Sequence, residues 1–170
     1  MEKYIAPLEG RRHLLRLDFN ENTLGPSPLV TQELKKVLSQ EISIYPEYNG
    51  LKEAVSKNLN VYRKNSSLHT NQIGLFNGVD AAIHAIFHSY GNKGDLVITT
   101  APTFGYYKPC AAMQGMETLA IPYQGSQFEF PFEKIKDHLI QSVPRLLVIC
   151  NPNNPTGTNL SAKKILELVQ

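Results

Sequence analysis

The run Asn151-Pro152-Asn153-Asn154-Pro155-Thr156-Gly157 follows an unbroken apolar segment, residues 146–150 (LLVIC), and is the part of this sequence most committed to chemistry. Two prolines fix φ on either side of an Asn pair, and Gly157 relieves the corner that follows. A loop so constrained holds a side-chain amide in one orientation, suited to a hydrogen bond to a ligand oxygen. A second candidate is Asn77-Gly78-Val79-Asp80, placed where a strand gives way to a helix. Glycine permits the tight corner, and the first free N–H groups of the helix form a cradle for phosphate. The plainer reading is a strand–helix turn in which Asp80 stabilises the helix start. A third is Ala101-Pro102-Thr103-Phe104-Gly105-Tyr106-Tyr107, after another strand. An aromatic there can stack on a planar ring at the carboxyl edge of a sheet, or simply pack in a loop.

Other patterns carry less. His84 and His88 have a helical spacing that suits zinc, but no HExxH glutamate lies between them and no third ligand is evident. Ser161-Ala162-Lys163-Lys164 matches SxxK without its companion SDN and KTG elements, and reads as a helix cap. Neither GxGxxG nor a GxSxG elbow occurs, which leaves dinucleotide binding and serine-hydrolase chemistry unsupported.

The elements that must position these residues fit a chain of 170 residues, room for about one domain. Hydrophobic residues are 42% and charged residues 19%, as in ordinary globular proteins. Lys and Arg number 17 against 15 acidic residues, net +2, which gives no electrostatic case for nucleic acid or an acidic membrane. The N-terminus has no apolar signal region, and no window approaches the roughly 18 apolar residues of a membrane span. The expected location is cytoplasmic, with Cys110 and Cys150 as reduced thiols.

Along the chain, a weakly alternating segment at 14–19 breaks into a Gly/Pro-rich loop (NENTLGPSP). Residues 29–40 and 51–63 read as amphipathic helices, separated by the turn-rich YPEYNG. From residue 73 short apolar runs alternate with helical patterns. Strands are expected at 73–76, 96–99, 118–122 and 146–150, and helices at 79–90, 105–114, 132–141 and from Ser161 onward. This alternation predicts an α/β architecture with a mostly parallel sheet. A helix running to the last residue, after four strands, reads as the first part of something larger.

Taken in order, LDFNENTLGPSP, YPEYNG, NGVDAAI, APTFGYY and NPNNPTG resemble the fold-type I pyridoxal-phosphate aminotransferases across essentially the whole chain. The NEN…GPSP arm and the YP element are most similar to the histidinol-phosphate aminotransferase branch. The resemblance implies the large domain of the aspartate aminotransferase-like fold, an incomplete, mostly parallel sheet flanked by helices. It implies an arm and first helices over residues 1–63 and the first part of the cofactor-binding domain over 64–170. It implies pyridoxal 5'-phosphate as cofactor, amino-acid and keto-acid substrates, and a homodimer in the complete enzyme.

The same resemblance assigns roles. Gly78, Val79 and Asp80 would hold the cofactor phosphate, and Phe104 would stack on its ring, where many relatives have Tyr. Asn154 would donate to the phenolic oxygen. Tyr45 would reach across a dimer to the neighbouring subunit's phosphate, and Asn22 and Gly25 would belong to an arm closing over substrate. Ala81 stands where relatives often carry Glu, and Leu24 where some carry an arm tyrosine. None of the lysines matches the family's Schiff-base motif, which lies after NPNNPTG. A chain of these residues alone is therefore expected not to transaminate. The alternative is a non-catalytic half-domain that binds a partner chain.

Overall fold

The computed structural model describes residues 9–17, 19–61 and 67–170. The chain divides into two compact units, one ending at Ile73 and the other spanning Gly74–Gln170. In the first unit, α1 (Pro28–Leu34) starts where Ser27 Oγ accepts from the Leu29 N–H at 3.3 Å and Pro28 takes the first helical position. The single helix expected over 29–40 is instead two, because α1 stops and α2 (Ser39–Ile42) begins separately. No residue of either is buried, so no packed face carries the helix beyond what local capping holds. The Leu38 N–H donates to the Glu41 carboxylate at 2.6 Å and marks that second start.

Helix α3 (Leu51–Asn60) is fastened to the chain that follows it. Asn60 Nδ2 donates to Leu68 O at 3.0 Å, and the Leu68 N–H donates back to Asn60 Oδ1 at 2.7 Å. Buried Ser56 donates to the same carbonyl. Tyr62 and Arg63, expected to continue α3, lie outside the described residues. A short 3-10 turn, Thr70–Gln72, closes this unit.

The second unit alternates helix and strand: α4 (Gly78–Tyr90), β1 (Leu96–Ala101), α5 (Tyr107–Met113), β2 (Glu117–Pro122), α6 (Phe132–Ser142), β3 (Leu146–Leu147) and α7 (Ala162–Val169). The sheet order is β2-β1-β3 with both pairings parallel; Val97 lies opposite Thr118 on one side and Leu146 on the other. Among the described residues there are three strands in this sheet, not four. Residues 73–76 are extended at Ile73 (φ −113°, ψ 119°) but pair with no strand. The Phe76 ring folds back over Gly74, whose Cβ, if present, would sit 2.7 Å from it. The strand expected over 146–150 is regular for two residues only. Its last regular link is the Val148 N–H to Ile98 O, 2.9 Å, and with one neighbour its residues stay half-buried.

Strand β1 sends alternate side chains into two cores. Val97 packs with Phe87 of α4, Cys110 and Ala111 of α5, and Met116. Ile98 packs on the opposite face with Ile121, Ile135 of α6, Leu160 and Leu168 of α7. The arrangement is three layers, helix–sheet–helix, as a parallel sheet requires. Among the described residues no helix is long and apolar enough to cross a membrane. Ile98 is 0% exposed. Ile98→Ala is expected to lower unfolding free energy by about 3 kcal/mol and Ile98→Val by about 1 kcal/mol, read from urea denaturation. Near-zero costs for both would contradict the central placement of β1.

Candidate functional site

Two loops leave the carboxyl ends of adjacent parallel strands, the edge at which α/β folds gather ligands. The loop after β1 carries Phe104, and the loop after β3 carries the Asn pair. The β3 loop is closed at its base by a reciprocal pair of bonds. Asn151 Nδ2 donates to Leu160 O at 3.0 Å, and the Leu160 N–H returns to Asn151 Oδ1 at 2.8 Å. Leu160 itself is anchored in the core beneath.

The two central asparagines of this loop are in opposite situations. Asn153 is 3% exposed. Its Nδ2 donates to Pro102 O at 3.0 Å and to Thr156 Oγ1 at 2.8 Å, while its Oδ1 accepts from Thr103 Oγ1 at 2.9 Å. Its backbone is also fixed: its N–H donates to Thr158 O and its carbonyl accepts from the Gly157 N–H. Asn154 is half-buried, and its amide has no hydrogen-bond partner among the described residues. The loop backbone is thus tied at several points, and the Asn154 amide beside it is unengaged.

Helix α4 opens at Gly78, whose φ of +83° suits glycine and whose N–H donates to Phe76 O at 3.0 Å. The Asn77 side chain makes no capping bond, so it satisfies none of the first-turn N–H groups. A Cβ on Gly78 would meet nothing within 4 Å, so it is the backbone conformation and not crowding that calls for glycine here. Asp80 lies in the first turn, and its charge reaches the start of α5, raising the titration of Tyr106 and Cys110. Helix α4 packs against α5, which directly follows the loop that carries Phe104.

Phe104 is half-buried and meets Tyr107 edge-on, with ring centroids 5.7 Å apart at 76°. Burial, with the Cys150 thiol beside it, pushes the Tyr107 phenol up to about 12. Tyr106 is raised chiefly by the Cys110 thiol and then by burial, and burial raises Cys110 and Tyr123. Raised in this way, Tyr106, Tyr107, Tyr123 and Cys110 are neutral near pH 7. Both cysteines are free thiols, Cys110 buried and Cys150 half-buried.

Gly78, Val79, Asp80, Phe104 and Asn154 all belong to the second unit, whereas Asn22, Gly25 and Tyr45 belong to the first. Asn22 and Gly25 form one turn. Asn22 Nδ2 donates to Gly25 O at 2.7 Å, the Leu24 N–H donates to Asn22 Oδ1 at 3.1 Å, and Gly25 takes φ +81°. Tyr45 is 97% exposed. The rings of His84 and His88 stand 6.1 Å apart and perpendicular, and His88 Nδ1 lies 3.2 Å from Gln114 Nε2. Among the described residues no group of three or more His, Cys, Asp or Glu side chains is arranged to hold a metal. The residue that motif reading passed over is Asn153. Its local signal is only the hydroxyl of Thr156 three residues on; the Thr103 hydroxyl it also meets lies fifty residues back and is not marked in the sequence.

Residues 12–170 match the family model for aminotransferase class I and II. The histidinol-phosphate aminotransferase of Moorella thermoacetica is 33% identical over 151 residues, covering 88% of this chain and 36% of that protein. A dihydroxyacetone phosphate transaminase of Campylobacter jejuni is 30% identical over 162 residues, covering 92% of this chain and 42% of the relative. The chain thus spans less than half the length of these curated relatives. Histidinol-phosphate aminotransferase from Sinorhizobium meliloti, solved with pyridoxal-5'-phosphate, superposes with a TM-score of 0.77 at 21% identity, over 89% of this chain and 39% of its own. Cystalysin from Treponema denticola gives 0.68 at 20% identity, over 83% and 36%. These structures share the fold, and the match to the family model runs through the arm, the glycine turn and the asparagine loop. The chain belongs to the aminotransferase class I and II family.

Proposed function

We propose that this chain forms the cofactor-holding part of a pyridoxal-phosphate-dependent aminotransferase of the histidinol-phosphate type. The observation that carries the reading is the unengaged Asn154 amide on a tied loop beside the one that bears Phe104, in the same compact unit as the uncapped start of α4. Those donors fit a phosphorylated, hydroxylated pyridine: two backbone N–H groups for a dianion, an aromatic face for the ring, an amide for the phenolic oxygen. Once bound, the cofactor supplies the electron sink on which amino-group transfer depends.

The residues here bind and orient. The N–H groups of Val79 and Asp80 donate to the phosphate, with the helix dipole favouring its charge. The Asp80 carboxylate opposes that charge, so the backbone donors and dipole outweigh it only at close range. Phe104 stacks without a phenolic hydrogen bond, which a Tyr in its place would add. Asn154 donates to the ring oxygen and stabilises its anionic form. The described lysines are exposed or half-exposed, and the roles assigned to this chain's residues are binding and orientation. Small amino-acid and keto-acid substrates, closure of the Asn22–Gly25 turn over them, and a homodimer in which Tyr45 reaches the partner's phosphate complete this reading. The arm and first helices of residues 1–63 precede a large-domain segment, 64–170.

A second reading, a half-domain completed by another chain, is favoured by the apolar side chains left open in the first unit, Leu15 at 81% and Leu24 at 96% exposure among them. Co-purification with a chain that supplies a catalytic lysine supports it.

Pyridoxamine 5'-phosphate forms no imine with surface lysines and is the suitable probe. Calorimetric titration is expected to show saturable binding that weakens about tenfold or more when the phosphate is removed from the probe. Val79→Pro deletes one donor at a position where a helix tolerates proline, and is expected to weaken binding about tenfold. Unchanged affinity would move the phosphate away from α4. With glutamate or histidinol phosphate as donor, the purified chain is expected to give no turnover, and measurable transamination would contradict the assignment of roles.

A further inference from the structure

Beyond strand β1 the regular ladder to β3 ends at Ile98 and Leu147, with a last link from the Val148 N–H to Ile98 O. The two loop exits run on from there without strand pairing. Among the described residues, the hydrogen bonds joining residues 99–106 to residues 149–160 all end on one side chain, that of Asn153. It holds Pro102 and Thr103, immediately before Phe104, and it stands immediately before Asn154. We propose that Asn153 is a positioning residue: it sets the distance and angle between Phe104 and Asn154, and so the slot that grips a planar ring, without touching the ring. The proposal rests on the reading of this edge as the holder of a phosphorylated pyridine.

Only asparagine meets these demands. Both amide hydrogens are used, on Pro102 O and Thr156 Oγ1, and the amide oxygen takes the Thr103 hydroxyl. Aspartate keeps the acceptor and loses both donors, leaving a carboxylate facing a carbonyl in a 3% exposed site. Leucine fills the volume and satisfies none of the three partners. Glutamine adds a methylene where there is no room. The buried amide is thus a fixed spacer between two loops whose own backbones are no longer paired.

The test compares the parent chain with Asn153→Ala, Asn153→Asp, Thr103→Val, Asn154→Ala and the double variant Asn153→Ala/Asn154→Ala. Each is titrated with pyridoxamine 5'-phosphate and, separately, with inorganic phosphate. Both Asn153 variants are expected to bind the pyridoxamine probe about tenfold more weakly, and Thr103→Val, which breaks one bond of three, about threefold. Phosphate affinity is expected to stay within about twofold, because α4 is not held by this clamp. The double variant is expected to bind more weakly than Asn154→Ala alone, but by less than the roughly tenfold of Asn153→Ala by itself, since part of the effect of Asn153 passes through Asn154 and the rest through Phe104. The bound ring's absorption, which reports ionisation of its phenolic oxygen, is expected to revert to that of the free probe in both Asn153 and Asn154 variants. If Asn153→Ala does not fold, Thr103→Val carries the comparison. Parent-like ring binding by a folded Asn153 or Thr103 variant overturns the proposal, and so does equal loss for phosphate and the ring probe. Absence of probe binding by the parent chain overturns the reading of the site itself, whatever the variants do.

Discussion

A strand buried on both faces is the constraint from which the second unit follows. Val97 and Ile98 are 1% and 0% exposed and point in opposite directions, so helices must cover both sides of the sheet. Parallel pairing on both edges then obliges every connection to cross back over a face. The consequence is that β1 and β3 discharge their loops side by side at one edge. Residues fifty apart in sequence become neighbours there, joined by the Asn153 side chain. The Thr99 hydroxyl in β1 is buried without a hydrogen-bond partner among the described residues, at a cost of about 1–3 kcal/mol. The strand tolerates this because the apolar contacts on either side are extensive.

At that edge the chemistry is divided between neighbours. Asn153 spends every hydrogen-bonding hydrogen of its amide on the protein, whereas Asn154 spends none. A backbone tied at Asn151, Asn153 and Gly157 keeps the second amide from collapsing onto the first. Burial keeps the Tyr107 phenol and the Cys110 thiol neutral, and the Cys110 thiol and burial do the same for Tyr106, so the partial positive charge of the α4 start stands out in the local field. Such a field favours a ligand that brings negative charge to the helix and a neutral aromatic body to the loops.

Periodicity was informative wherever local pattern and tertiary packing agree. The helices at 107–113 and 132–142 and the strands at 96–101 and 117–122 lie within a few residues of the expected bounds. It failed where an apolar segment finds no surface to pack on. Residues 29–40 carry helical spacing, yet bury nothing and split in two, and residues 73–76 carry a strand composition without a strand to pair with. The run LLVIC is as apolar as a central strand but sits at the sheet edge, so its regular part is two residues long. Among the proposed site residues, turn chemistry and family resemblance single out Gly78, Phe104 and Asn154 individually. Asn153 is not singled out, since its role depends on which other loop lies opposite it, and no local pattern encodes a partner fifty residues away.

The central claim is that the α4 start, Phe104 and the asparagine loop grip one ligand together. Nuclear magnetic resonance of the isotopically labelled chain, titrated with pyridoxamine 5'-phosphate, tests it directly. The account expects the backbone amides of Val79 and Asp80 and the side-chain amide of Asn154 to shift together, along a single saturating curve, while the buried amide of Asn153 moves little. Shifts confined to the helix start, or scattered over surface lysines with Asn154 unmoved, would contradict it.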